Sequence, residues 1–387
     1  MEFALSKEHE MIRKAVREFA AKQIAPHADE WDANHYLPIE EVLRPMGELG
    51  FLGATIPEEY GGDDMGWLPA MIITEEIARA SSSMRVQVNL ISLGCAYTIY
   101  RYGTEELAKK YVPKLNTAEY LGGFAITEPN AGSDVMSIES TAEDRGDHWL
   151  LNGSKTWISN AHVADVIIYY AYTDKAKRGK GLSAFVVELK NFNGITTTEL
   201  DKMGSHSSPT GEIFLNNTKV PKENILGQPG DGARIVFSSL NQTRLSAAAG
   251  AVGVAQACYE EAVKYCNSRE QFGQKIGQFQ MNQEMIARMS TEIEAARLLV
   301  YKAAWQKDQG ALNNGLEVAQ AKYFAGEVVM RCSNYALRIL GAYGYSTEYP
   351  VARNYRDAPT YIMVEGSANV CKMIIANDAL GYRKANR

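Results

Sequence analysis

The opening stretch of the chain carries a helical rhythm. After Ser6, a residue type that caps helices, apolar side chains recur at Ile12, Val16, Phe19 and Ile24, the spacing of one helix face. Pro26 and Pro38 punctuate this stretch, Gly61-Gly62 marks a turn, and residues 74–80 and 104–111 resume the helical pattern. The rhythm changes near Leu121. Short runs rich in β-branched and aromatic residues follow at 166–172, 182–189, 194–198 and 212–215. Residues 149–157 contain Asn152-Gly153, a dipeptide that favours tight turns, and predict a hairpin there. From Ala233 onward the pattern is helical again. Ala-rich stretches such as 245–253 suit close helix packing, and breakers are few before Gly341. The pattern predicts an α+β chain of three domains: α-helical over 1–120, β over 121–232 and α-helical over 233–387. Helices first and last with strands between exclude a doubly wound sheet.

Composition narrows the function classes. At 387 residues the chain is long enough for a large core, and 46% hydrophobic with 22% charged residues fits neither disorder nor a membrane protein. A net charge of −6 argues against nonspecific nucleic-acid binding. The cysteines (Cys95, Cys258, Cys266, Cys332, Cys371) are scattered and odd in number, which fits free thiols in a reducing compartment. The histidines show no ligand spacing, so no metal is expected. The polar first residues are unlike a targeting peptide, and no apolar run is long enough for a membrane span, so a cytoplasmic location is expected.

Glu365 is the first candidate for chemistry. It is the sole acid between Asp357 and Asp378, and residues 361–364 ahead of it are mostly apolar. A carboxylate buried there would have its pKa pushed upward by desolvation and would suit removal of a weakly acidic proton near neutral pH. An exposed acid in the first turn of a C-terminal helix is the plainer reading. Residues 124–134, Phe-Ala-Ile-Thr-Glu-Pro-Asn-Ala-Gly-Ser-Asp, leave a strand and enter a Gly/Ser turn. Its backbone N–H groups and hydroxyls suit a flat polar ring or a phosphate, or simply a surface loop.

That segment resembles a signature of the acyl-CoA dehydrogenase family. Residues 338–357, Arg-Ile-Leu-Gly-Ala-Tyr-Gly-Tyr-Ser-Thr-Glu-Tyr-Pro-Val-Ala-Arg-Asn-Tyr-Arg-Asp, resemble the second signature, and the similarity runs over essentially the whole chain. The resemblance implies FAD as cofactor and a fold with an N-terminal α-helical domain, a middle β-barrel domain and a C-terminal α-helical bundle. It places Glu365 at the catalytic base. Phe124, Ile126 and Thr127 would line the flavin ring, with Thr127 hydrogen-bonded to it, and Trp157 and Ser159 would cover its other side. Arg269, Phe272, Gln280 and Arg338 fall at positions that reach the FAD of a neighbouring subunit. Gly341 would let the backbone approach the cofactor, and Ser367 and Asn369 would face it. Ser133, also in the cofactor segment, and Arg244 resemble contacts to the nucleotide portion of CoA, and Gly366 falls among the substrate-binding positions. The chain departs from the usual pattern at Arg338 (often Gln), Ala342 (often Gly) and His206 (often Arg), and no role is given to His206.

The implied reaction is α,β-dehydrogenation of an acyl-CoA. Glu365 would take the α-proton while the β-carbon gives hydride to the flavin, and the Glu365 N–H would help hold the thioester oxygen. Electrons would pass to an electron-transferring flavoprotein, and cofactor contacts across subunits imply a homo-oligomer, in this family usually a tetramer. Arg85 lies where the branch acting on glutaryl-CoA carries an arginine for the distal carboxylate. Ala78 and Val364 stand where decarboxylating members of that branch carry Glu and Tyr. The chain therefore most resembles the non-decarboxylating members of anaerobic bacteria, which stop at glutaconyl-CoA. Enzymes acting on alicyclic acyl-CoAs, such as cyclohexanecarbonyl-CoA and cyclohexenecarbonyl-CoA, are similar too, and an apolar Ile91 would suit a ring.

Overall fold

The computed structural model describes residues 4–386. The chain begins with helices α1 (Lys7–Phe19), α2 (Ala28–Ala33), α3 (Arg44–Glu48), α4 (Trp67–Ala80), α5 (Ser82–Val88), α6 (Tyr97–Tyr102) and α7 (Glu105–Asn116). The Ser6 hydroxyl caps α1 by accepting from the His9 N–H. Helix α4 is buried from Trp67 to Ala78, so it has no polar face to reveal it as a surface helix. Its first N–H groups are capped from far away: Asp308 accepts from Trp67 N at 2.6 Å and Leu68 N at 3.0 Å. Helices α5 and α6 are joined by a buried π-helical stretch, Asn89–Ala96, a widened turn of the kind that gathers at functional sites.

The middle region is a curled sheet of β1 (Gly122–Ala125), β2 (Thr141–Asp144), β3 (His148–Ser159), β4 (Val166–Tyr172), β5 (Leu182–Glu188), β6 (Ile195–Glu199), β7 (Thr210–Pro221) and β8 (Ile225–Leu226). The strand order is β6-β7-β3-β2-β4-β5-β8, with β1 added in parallel to β4. Every residue of β4 is buried because its two faces serve two cores. Val166, Ile168, Tyr170 and Tyr172 pack into the main helical core. Ile167, Tyr169 and Ala171 join Trp149, Phe185, Ile213 and Val220 in a smaller core inside the sheet.

Asn152-Gly153 does not turn the chain, contrary to the expectation. Strand β3 runs straight through it, and the turn lies earlier, between Asp144 and His148. Gly153 sits instead at a register shift opposite β7, with φ at 147°. A Cβ there would lie 2.2 Å from Ser140 Oγ, so the glycine serves a bulge and a close crossing.

The last region holds α8 (Gly232–Ser268), the small hairpin β9 (Glu270–Gln271) and β10 (Gln274–Lys275), α9 (Gln280–Asp308) and α10 (Gly315–Leu340). Short helices α11 (Ala342–Tyr345), α12 (Pro350–Asp357), α13 (Thr360–Met363) and α14 (Ala368–Ala379) follow. Helix α8 closes on α4 at Gly253, where a Cβ would lie 2.1 Å from the Glu75 carbonyl oxygen. All five cysteines are buried and unbridged. Among the described residues no helix is long and apolar enough to cross a membrane.

Candidate active site

Glu365 stands in a loop rather than in a helical turn: α13 ends at Met363 and α14 begins at Ala368, capped by Ser367. Glu365 and Gly366 both take positive φ, 58° and 84°. For a residue with a Cβ this costs about 1–2 kcal/mol and persists only where the surroundings dictate it. Four side chains do so. Asn89 Nδ2 donates to Oε1 at 3.0 Å and Thr243 Oγ1 to Oε2 at 2.5 Å, while Arg244 Nε donates to the Glu365 carbonyl at 2.9 Å. Lys322 Nζ donates to the Gly366 carbonyl at 2.7 Å. The donors come from the π-helical stretch, α8 and α10, so three distant segments meet at this loop. A Cβ on Gly366 would lie 2.8 Å from Arg244 Nη2, which is why glycine follows the glutamate. The carboxylate is half-buried, and amide and hydroxyl donors make its surroundings more polar than the preceding apolar run suggests.

Arg85, on α5, is 1% exposed. Its guanidinium lies 4.9 Å from the centre of the Tyr361 ring, and the Tyr361 hydroxyl is tied to Ser82 Oγ at 2.9 Å. Gly250 on α8 makes room for it, since a Cβ there would lie 2.8 Å from Arg85 Cδ. Among the described residues no carboxylate pairs with Arg85, and its Nε has no hydrogen-bond partner. Burying an unpaired charge costs several kcal/mol, so this guanidinium is suited to an anionic group from outside the chain. Arg85 and Glu365 share a neighbourhood: Arg85 packs on Tyr361, just ahead of the Glu365 loop, and on Gly250 of α8, the helix whose Thr243 and Arg244 hold that loop. Ala78 and Ile91 are buried, and Val364 is half-buried beside Glu365.

The segment carrying Phe124, Ile126 and Thr127 is fastened on both sides. Phe124 presses on the π-helical stretch, where a Cβ on Gly94 would lie 2.7 Å from its ring. The Thr127 carbonyl accepts from Thr156 N at 3.0 Å. Beneath it lies a buried ion pair: Lys155 Nζ donates to Glu128 Oε1 at 2.7 Å and to the Ile126 carbonyl at 3.0 Å. Burial pushes the Lys155 amine down to about 8. Burial also pushes the Glu128 carboxyl up, but Lys155 and donors from Ser140 and Glu139 outweigh this and hold it below its ordinary value. The polar outer side is left open. Trp157 is 59% exposed with φ at 59°, and the Thr127 and Ser159 hydroxyls make no hydrogen bond among the described residues. An exposed indole beside free hydroxyls and a pinned backbone fits a flat polar ring such as the isoalloxazine of FAD.

The other expected cofactor residues lie outside this cluster. Ser133 is exposed in the loop after β1, and Asn369 in the first turn of α14. Phe272, at the tip of the β9–β10 hairpin, is 95% exposed, with exposed Arg269 and Gln280 flanking that hairpin and Arg269 5.8 Å over the Tyr343 ring. Arg338 and Gly341, at the end of α10, are exposed too. Among the described residues no hydrogen bond joins this outer group to Glu365. Arg244, expected toward CoA, donates through its Nε to the Glu365 carbonyl. His206 packs on His35 with ring centres 4.5 Å apart and lies 3.5 Å from Asp32, far along the chain from the Glu365 loop.

Sequence reasoning missed Thr243, Lys322, Lys155 and Tyr361 as site residues and gave Asn89 no role. Each acts on a partner remote in sequence. The one local hint is a lone lysine, Lys322, on an otherwise apolar helix face.

Known proteins share this fold. The descriptions "Acyl-CoA dehydrogenase, N-terminal domain", "middle domain" and "C-terminal domain" match residues 6–119, 123–218 and 230–380. A glutaryl-CoA dehydrogenase of Desulfococcus multivorans is 72% identical, with 100% of both chains covered. A solved glutaryl-coenzyme A dehydrogenase–glutaryl-CoA complex superimposes with a TM-score of 0.99 at 72% identity, covering 100% of this chain and 98% of that one. A structure described as an electron transferring flavoprotein of Acidaminococcus fermentans gives 0.96 at 38% identity, covering 98% and 100%. An FAD complex, PigA with FAD and proline, gives 0.94 at 28% identity, covering 98% and 99%. Helical ends around a sheet, a fastened strand-to-turn segment after β1 and a fixed glutamate loop thus have one explanation: the chain belongs to the acyl-CoA dehydrogenase family, oxidoreductases that work with FAD.

Proposed function

We propose that this acyl-CoA dehydrogenase oxidises glutaryl-CoA to glutaconyl-CoA without decarboxylation, with Glu365 as the base that removes the α-proton. The observation that carries the substrate reading is Arg85, a buried guanidinium that has no carboxylate partner among the described residues and packs on Tyr361, just ahead of the Glu365 loop. A dicarboxylic acyl chain brings the missing anion, and a charge-assisted pair formed away from water is strong enough to select it. The 72% identical glutaryl-CoA dehydrogenase supports the same choice. The stop before decarboxylation rests on Ala78 and Val364: neither offers the carboxylate or phenol that decarboxylating relatives carry there.

Bound FAD supplies the hydride acceptor. Phe124, Ile126 and Thr127 would meet one side of its ring, Trp157 and Ser159 the other, and Ser367 and Gly341 the nearby backbone. Arg269, Phe272, Gln280 and Arg338, all exposed, would reach the cofactor of a second subunit, which makes the working unit at least a dimer. Arg244 holds the Glu365 carbonyl, Asn89 and Thr243 aim the carboxylate, and the Glu365 N–H is left to hold the thioester oxygen where enolate charge develops. Electrons leave to an electron-transferring flavoprotein.

Anaerobic titration of the FAD-loaded protein with glutaryl-CoA and with cyclohexanecarbonyl-CoA, with mass spectrometry of the products, tests the proposal. Flavin bleaching with glutaryl-CoA and formation of glutaconyl-CoA without CO2 are expected. Crotonyl-CoA with CO2 contradicts the argument from Ala78 and Val364. Bleaching with the ring substrate alone contradicts the role of Arg85.

A further inference from the structure

Lys322 is a costly residue for its place. It is 1% exposed in the first third of α10, and its neighbours on the buried face, Val318, Ala319, Ala321, Ala325 and Gly326, are apolar or small. Among the described residues no carboxylate lies within ion-pair distance of its amine, and its one hydrogen bond goes to the Gly366 carbonyl at 2.7 Å. A methionine would fill similar volume without burying an amine. The lysine does give that carbonyl a fixed direction. Gly366 is the second of two consecutive residues at positive φ, and the carbonyl of the first, Glu365, is held by Arg244 from α8. The Cys371 thiol adds a weaker contact to the Gly366 carbonyl at 3.7 Å. The two peptide planes that follow the glutamate are therefore held by two buried cations from two different helices.

We infer that Lys322 is a positioning residue for proton abstraction: through the Gly366 carbonyl it fixes the backbone that aims the Glu365 carboxylate at the α-hydrogen. The inference rests on the reading of Glu365 as the base. Without the lysine the Gly366 peptide loses its main donor, and the unfavourable φ of Glu365 is held by Arg244 and the side-chain bonds alone. A shift of about 1 Å in a reacting group is enough to slow chemistry by about 100-fold.

The test uses the FAD-loaded holoenzyme and three readouts: flavin content, the Kd of glutaryl-CoA from the flavin spectral shift, and the rate of anaerobic bleaching with unlabelled and α-deuterated glutaryl-CoA. Glu365→Gln is measured alongside Lys322→Met. For Lys322→Met the expected result is parental flavin content, Kd within about three-fold of the parent, bleaching slowed roughly 10- to 100-fold and a larger α-deuterium isotope effect. Bleaching within about two-fold of the parent overturns the inference, as does a loss confined to flavin content or Kd with an unchanged isotope effect. If Lys322→Met does not retain flavin, Lys322→Gln is read in the same way. Its amide nitrogen sits one bond short of the carbonyl, so the same signature is expected and parental behaviour overturns the inference. A Glu365→Gln protein that bleaches at the parental rate removes the base reading itself. Slow Glu365→Gln with parental Lys322→Met removes only the role of Lys322.

Discussion

Two buried charge clusters touch helix α4 and its continuation into α5, and they are built on opposite rules. In the first, Glu75 and Glu76 are each 3% exposed and fully partnered. Glu76 accepts from Arg17 at 2.6 Å and Arg79 at 3.4 Å, and Glu75 from Arg297 at 2.9 Å and the Tyr301 hydroxyl at 2.7 Å. In the second, Arg85 is more deeply buried and has an aromatic ring under it and, among the described residues, no carboxylate within ion-pair distance. The first cluster ties α1, α4 and α9 together and asks for no ligand. The second leaves its charge uncompensated until something arrives. Burial alone therefore does not separate a structural charge from a working one; what sets Arg85 apart is the lack, among the described residues, of a carboxylate partner at a place beside Tyr361 and the Glu365 loop.

The largest expected effect breaks the working cluster at its reactive end. Glu365→Gln should lower the rate of anaerobic flavin bleaching by about 10²–10⁴-fold while the protein keeps its FAD. Next comes the structural cluster. Glu76→Gln removes the negative charge that faces Arg17 and Arg79 and should lower stability by roughly 3 kcal/mol in denaturant unfolding, with the preference for glutaryl-CoA over butyryl-CoA unchanged. Lys155→Met leaves Glu128 buried without its cation and should weaken FAD retention, read as flavin per protein after gel filtration, more than it changes the Kd of the acyl-CoA.

The smallest effect concerns a buried amine that, among the described residues, has no carboxylate partner and donates to the Leu312 carbonyl at 3.2 Å. Lys307 is 2% exposed, lies 5.0 Å over the Trp67 ring, and is pushed by burial down to about 7. Its ordinary value is 10.5, so between these two values the unfolded chain binds the extra proton and native stability rises with pH. Below about 7 the penalty is complete. Lys307→Met should therefore raise the Tm, by roughly 2–6 °C at pH 6, with the gain shrinking as pH rises toward 10. A gain that is flat across that range removes the titration of Lys307 as its cause.

The helical and strand-rich regions were legible because their periods differ, and β4, with both faces buried, was visible as an unbroken β-rich run. The Asn152-Gly153 hairpin was misread because the same conformational freedom serves a bulge as well as a turn, and only the pairing with β7 decides between them. Glu365 was legible from its isolation in an apolar stretch together with the family resemblance. Arg85 was recognisable by position, but that it lacks a partner is a three-dimensional fact. Thr243, Lys322 and Tyr361 were invisible because each meets its partner only after α8, α10 and α13 pack. Apart from the lone lysine on the buried face of α10, local sequence carries no trace of such a meeting.

The most direct measurement is the ratio of kcat/KM for glutaryl-CoA to that for butyryl-CoA in Arg85→Met against the parent. The two acyl groups differ chiefly in the distal carboxylate, so the ratio isolates what the guanidinium does. Loss of a buried charge pair predicts a fall in this ratio of about 10²-fold or more, carried by glutaryl-CoA with butyryl-CoA little changed or improved. An unchanged ratio, or an equal fall for both substrates, contradicts the assignment of Arg85 as the carboxylate anchor.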